Sequence, residues 1–150
     1  MTISIDFIKS QQAFQELTKL TPEIQNEEYE GYTFSIGETT YRSRLAKLTP
    51  KKKGYFVAFW EKDDTNQNQA YDLKNSPDYL VIAVLDDAKK GLFVFPKEVL
   101  HQQKILKTDT QKGKMAIRVY PSWETDLNPT ATKTQKWQQV YFTDLSTNHL

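Results

Sequence analysis

The run Tyr79-Leu80-Val81-Ile82-Ala83-Val84-Leu85 is what most limits the folds open to this chain, because seven apolar residues stand in a row between Asp78 and Asp86. It falls far short of the roughly 20 apolar residues that span a bilayer, and its β-branched content marks a strand. Asp86 to Gly91 then supplies a turn and Leu92 to Phe95 returns the chain, after which Pro96 opens a short helix over Lys97 to His101. A β-hairpin followed by a helix has to be built into a sheet. At 150 residues the chain lies within the range of about 100 to 200 that one domain organises, so one central sheet is expected.

Other segments add to that sheet. Phe7, Ile8, Phe14, Leu17 and Leu20 recur near helical spacing, so residues 4–20 read as an amphipathic helix ended by Thr21-Pro22. Glu30 to Ile36 and Thr39 to Leu48 alternate about Gly37-Glu38 as a hairpin, and Pro50-Lys51-Lys52-Lys53-Gly54 turns into Tyr55 to Glu61, whose continuous apolar content suits a strand buried on both faces. Residues 62–77 are polar and read as a loop, residues 104–113 are polar again, and Lys114 to Tyr120 alternates as a further strand. Asn128-Pro129 places cap and first-turn residues ahead of a helix over Thr130 to Leu145. The expected class is α+β, or mixed α/β, with a central mixed sheet flanked by helices.

Composition removes several chemistries. There is no cysteine, which excludes thiolate catalysis, cysteine-type zinc sites, iron-sulfur clusters and disulfides. Of the two histidines one lies in the terminal Asn148-His149-Leu150, so a Ser-His-Asp triad would depend on His101, and a metal would have to sit on carboxylates. The five glycines are scattered and form no phosphate loop. The opening MTISIDFIKS lacks the basic start and apolar run of a secretory signal, and the default expectation is a soluble cytoplasmic protein.

Charge is more informative in its distribution than in its total of +1. Residues 41–62 carry seven Lys or Arg against Glu61 alone, and 104–118 carry a net +4, whereas 1–40 and 63–88 are each at −5. Local fields of this kind steer anionic ligands. In Tyr41-Arg42-Ser43-Arg44-Leu45-Ala46-Lys47 the period of two puts Arg42 and Arg44 on one face, Lys51, Lys52 and Lys53 extend the positive charge at the next turn, and Tyr55, Phe56 and Trp60 follow. Cations interleaved with rings are the ingredients of single-strand nucleic-acid binding, although rings in such a pattern also serve as core. On the last helix Lys133, Lys136 and Trp137 leave the same two readings open. The string Pro77-Asp78 followed by Asp87-Ala88-Lys89 matches a nuclease motif literally, but its second half falls in a hairpin turn, where Asp and Lys solvate the chain.

Three separated blocks, Arg44 to Val57, Gly91 to Lys97, and Arg118 to Trp123 with Lys133 to Gln138, resemble the MepB family in the same order, and the likeness covers about Tyr29 to Phe142. The resemblance implies a single domain over 1–150, a restriction-endonuclease-like fold of the PD-(D/E)XK type, which binds nucleic acid, and a link to a bacterial multidrug-efflux operon. That superfamily sets an Asp at the end of one strand and a (Glu or Gln)-x-Lys triplet on the next. Carried over, the triplet falls on Leu45-Ala46-Lys47 and the Asp near Tyr32 or Thr33, so the lysine alone is retained.

The resemblance and the residues together imply a nucleic-acid-binding protein, with single-stranded DNA or RNA as partner, on a degenerate nuclease scaffold and without a cofactor. The contact set is Arg42, Arg44, Lys47, Lys51, Lys52, Lys53, Arg118, Tyr120, Trp123, Lys133, Lys136 and Trp137. Two alternatives stand beside it. One is a magnesium- or manganese-dependent nuclease, in which Lys47 works with relocated carboxylates drawn from Glu27, Glu28, Glu30 and Glu61. The other is a protein-interaction module of the efflux operon.

Overall fold

A computed structural model describes residues 3–146; the terminal Asn148-His149-Leu150 lies outside them. The helices are α1 (Ile3–Ser10), α2 (Lys97–Gln102) and α3 (Pro129–Gln138). The principal strands are β1 (Thr18–Pro22), β2 (Tyr32–Ile36), β3 (Thr39–Leu45), β4 (Lys47–Leu48) and β5 (Tyr55–Ala58), with the two-residue strands β6 (Glu61–Lys62) and β7 (Asn68–Gln69) after them. Then come β8 (Tyr79–Asp86), β9 (Lys89–Pro96), β10 (Ala116–Val119) and β11 (Phe142–Asp144). Six of these form a central sheet in the order β1-β2-β3-β8-β9-β11, mixed because β3 and β8 run parallel while the other pairs are antiparallel. A second sheet has the order β10-β5-β4. The fold is mixed α+β, as the sequence implies. No helix among the described residues is long and apolar enough to cross a membrane.

The apolar run at 79–85 lies in the middle of the large sheet, and its alternate side chains feed two cores. Leu80, Ile82 and Val84 point with Phe93 and Phe95 toward the small sheet, meeting Tyr55, Val57, Phe59, Ile117 and Val119. Val81, Ala83 and Leu92 point the other way, onto Ile5, Ile8, Phe14 and Phe34. The small sheet buries one face in this core, and the segment Ile24–Tyr29 lies against part of the other. Tyr55, Val57 and Phe59 are buried, while Phe56, Ala58 and Trp60 between them are half-buried, which corrects the expectation of a strand buried on both faces.

Two expected helices are shorter than their patterns. The chain leaves α1 at Ser10, makes a 3-10 turn over Gln12–Phe14, and by Thr18 pairs with β2, where Leu20 is exposed rather than part of a helical stripe. The last helix ends at Gln138, and Phe142, Thr143 and Asp144 pair with Phe93, Leu92 and Gly91 along the free edge of β9. In both cases an unpaired sheet edge outweighs weak helical periodicity. The expected loop at 62–77 contains a small β6-β7 hairpin and two buried residues, Ala70 and Tyr71.

Candidate nucleic-acid interface

Arg42 and Arg44 share one face of β3, as their spacing predicts, but that face is an interior one. Arg44 has no exposed surface; its Nη1 donates to Glu23 Oε1 at 2.7 Å, Nη2 to the Tyr71 hydroxyl at 2.6 Å, and Nε to Asn26 Oδ1 at 3.1 Å. Arg42 Nε donates to both Glu23 oxygens at 3.0 Å, and its guanidinium lies 3.6 Å from the centre of the Tyr71 ring. Burial pushes the Tyr71 hydroxyl up, against the pull of the two guanidiniums. Both arginines are thus committed to a buried network. This corrects their assignment as phosphate contacts, since Arg44 could reach a ligand only by abandoning Glu23.

Two half-buried cations lie on the outward face of the small sheet. Lys47 on β4 is directly opposite Phe56 on β5, which is opposite Arg118 on β10, so the three form one cross-strand row. Tyr29 stands at the Lys47 end: Lys47 Nζ is 4.9 Å from its ring centre, and its ring meets Phe56 edge-on at 6.0 Å. Arg118 lies 5.8 Å from the Phe56 ring and donates through Nη1 to Thr49 Oγ1 at 2.9 Å and the Lys53 carbonyl at 3.1 Å. Burial and the Glu28 carboxylate push the Tyr29 hydroxyl up, so it remains a neutral ring.

Arg118 also shapes the turn that carries the three lysines. Lys53 Nζ donates to the Thr125 carbonyl at 2.6 Å, while the exposed Lys51 and Lys52 side chains have no partner among the described residues. The turn closes at Gly54, whose φ of +82° and whose approach to Val119 O and the Tyr120 ring leave no room for a side chain.

The remaining candidates divide. Lys133 and Lys136 are exposed on α3. Trp137 packs on the main core 5.5 Å from Phe95, and Trp123 packs edge-on against Tyr55 and Phe142 with its Nε1 donating to the Tyr55 hydroxyl at 3.1 Å. Both indoles are half-buried and pack on the core through one side. Tyr120 is half-buried beside Gly54, and its amide donates to the buried Gln138 Oε1 at 2.9 Å.

Of the carboxylates proposed to serve Lys47, Glu30 and Glu61 are engaged elsewhere, while Glu27 and Glu28 are exposed beside Tyr29. Glu30 is 6% exposed, and its Oε1 accepts the Ser4 amide at 2.8 Å and the Ser4 hydroxyl at 2.7 Å, closing the start of α1. Glu61 faces a different cavity, of about 850 Å³, shared with Asp72, Gln69 and Lys107. There Lys107 Nζ donates to Gln69 Oε1 at 2.7 Å and Gln69 Nε2 to Glu61 at 3.4 Å. Burial pushes the Glu61 carboxyl up, partly opposed by Arg42 and reinforced by Asp72 and Glu23. No group of three His, Asp or Glu side chains among the described residues is arranged to hold a metal ion. Asp78 accepts the Thr40 amide at one end of β8 and Asp87 sits in the turn at the other, so the literal nuclease string is split by a whole strand.

The contact set read from the sequence omits Tyr29 and Phe56, although Phe56 stands among the rings noted after the lysines. Alternation groups Phe56 apart from Tyr55 and Val57 without saying which set faces the core; Tyr29 joins the row only through a contact distant in sequence.

The sequence model of the MepB-like family matches residues 23–144. The chain is similar to a crystal structure of MepB, with 48% identity over 98% of this chain and 97% of that one and a TM-score of 0.87. A bacterial homing endonuclease, I-Ssp6803I, aligns at 12% identity over 94% of this chain and 93% of that one, with a TM-score of 0.47. Comparison with curated proteins gives no match.

Proposed function

The chain belongs to the MepB-like family, and from that premise we propose that it binds single-stranded nucleic acid across the outward face of its small sheet. One observation carries the reading: Lys47, Phe56 and Arg118 stand in a single row over three strands, with Tyr29 at its end. A ring between two cations suits a strand whose bases are unstacked, because the base face meets the ring while the flanking phosphates meet the cations. A duplex hides its base faces, so such a row favours single strands. Lys51, Lys52 and Lys53 continue the positive charge at the end of the same sheet, and a cytoplasmic location is part of the same proposal.

Fluorescence anisotropy with labelled single- and double-stranded oligonucleotides tests this. Single strands should bind more tightly, and Phe56→Ala should weaken them by about 1–3 kcal/mol, the range for one stacked base. Equal affinity for the duplex, with Phe56→Ala unchanged, would overturn it.

A second reading, a divalent-metal nuclease, draws on Glu61, Asp72 and Lys107 lining one cavity. It predicts cleavage of single-stranded DNA with magnesium or manganese that Lys107→Ala abolishes and Lys47→Ala does not.

A further inference from the structure

The small sheet ends at β10, and among the described residues no strand lies against its second edge. The Met115 carbonyl accepts the Phe59 amide at 2.9 Å, so residue 115 turns its backbone groups toward β5. By the period of two, Ala116, Arg118 and Tyr120 turn theirs the other way. Part of that outward edge is closed. Ile105 O accepts the Lys114 amide at 2.9 Å just before the strand. At the far end the fully buried Gln138 carboxamide stands in for a neighbouring strand, donating to Arg118 O at 3.0 Å and accepting the Tyr120 amide at 2.9 Å. Between these two closures the Ala116 C=O and the Arg118 N–H face no strand.

An open sheet edge is ordinarily a template for another strand. This one is too short, because a peptide laid along it would meet Ile105 on one side and Gln138 on the other after a single rung. The interval holds a pocket of about 230 Å³, lined by Ile105 and Gln138, by Ala116 and Arg118 between them, and by Thr134 and Trp137 of α3. The pocket therefore lies along the edge, against the backbone groups left open. Trp137 is half-buried, resting on Phe95 while it also borders the pocket, and the exposed Lys114 lines the same space.

We propose that this pocket binds one nucleobase through its hydrogen-bonding edge. The Ala116 C=O and the Arg118 N–H are an acceptor and a donor side by side, and every base carries a donor next to an acceptor on its Watson–Crick edge. Trp137 offers a ring to stack on, and Lys114 a cation for the nucleotide's phosphate. The site stands without the single-strand reading, because Arg118 enters it through its amide and not through the guanidinium beside Phe56. The same chemistry is offered by a free nucleotide and by one residue of a strand.

Adenosine monophosphate is the probe, followed by the backbone amide resonance of Arg118 and the indole resonance of Trp137. Both should shift on titration, and Thr134→Phe, which fills the pocket from a half-buried position, should abolish the shifts in a protein that otherwise keeps its spectrum. N6,N6-dimethyladenosine monophosphate keeps the ring and the phosphate but has no amino hydrogen for the Ala116 carbonyl. It should bind about tenfold more weakly, the discrimination of one well-made polar pair. Equal affinity for the two nucleotides would overturn the edge contact. An Arg118 amide that adenosine monophosphate does not move would overturn the pocket, whether or not the Phe56 row binds a strand. A short oligoadenylate separates the two sources while bearing out the pocket in either case: a gain over the monophosphate that Phe56→Ala removes assigns the base to a strand, and no gain assigns a free nucleotide.

Discussion

Glu23 joins Arg44 at 2.7 Å with the arginine wholly out of solvent, and the same carboxylate receives Arg42 Nε at 3.0 Å on each oxygen. One anion thus holds two buried cations on β3 from a segment about twenty residues earlier. Removing it leaves both guanidiniums without a direct counter-charge, which desolvation makes costly. Glu23→Ala should destabilise the protein by about 3–5 kcal/mol, the range for breaking a buried ion pair. Urea denaturation measures it; a loss below about 1 kcal/mol, the worth of an exposed pair, would show the network to be solvated.

Tyr55 links the small sheet to the hairpin tip. Its hydroxyl donates to Asp86 Oδ2 at 2.7 Å and accepts Trp123 Nε1 at 3.1 Å, and burial with the Asp86 hydrogen bond pushes its ionisation well above the usual tyrosine range. Tyr55→Phe should cost about 1.5–3 kcal/mol, as for a hydrogen bond to a charged group. Because the phenol stays protonated throughout, the cost should be flat from about pH 6 to about pH 9. A cost that fades across that window would mean that the phenol ionises.

What the sequence made legible, and what it did not, follows from how far each interaction reaches. The hairpin at 79–96 and the start of α3 are local: an apolar run, a polar turn, and an Asn128 side chain that accepts the Ala131 amide at 2.8 Å. The edge strands β1 and β11 are not local, since each exists only because a distant partner offers a free edge. At the site, the period of two correctly grouped Arg42 with Arg44. It could not say that Glu23 and Asn26 would fold over them and turn a cationic face inward. Counting apolar residues in Tyr55 to Glu61 likewise hid their alternation, which sends Tyr55, Val57 and Phe59 to the core and leaves Phe56 facing out.

Glu61 makes stability depend on pH in a direction opposite to that of a salt-bridged carboxylate. Its folded-state pKa is raised, chiefly by burial, so the folded protein holds this proton more tightly than the unfolded chain. The contribution is fully present below the unfolded carboxylate range and is lost as pH rises through the raised folded value. Glu61→Gln, which retains an acceptor for Gln69, should therefore raise the melting temperature at neutral pH and leave it unchanged in acid. A lower melting temperature at neutral pH would mean that Lys107 and Arg42 outweigh burial at this carboxylate.

Salt separates the two physical components of the proposed interface. Lys47, Arg118, Lys51, Lys52 and Lys53 are the cations proposed to meet a strand on the small sheet, and the Lys51 and Lys52 side chains make no competing bond among the described residues. If about three or four phosphates are neutralised, the logarithm of the binding constant should fall against the logarithm of salt with a slope of roughly −2 to −3. Replacing Lys51 and Lys52 together by alanine should make that slope shallower by about 1.4, since each phosphate contact on a single strand contributes about 0.7. Phe56→Ala should instead lower affinity at every salt concentration and leave the slope alone, because stacking releases no counterions. Anisotropy titrations over a range of sodium chloride read both effects from one data set. A flat dependence in the unaltered protein would remove the lysine turn from the interface, and a Phe56→Ala slope shifted as far as that of the double lysine variant would remove the distinction between stacking and charge on which the row depends.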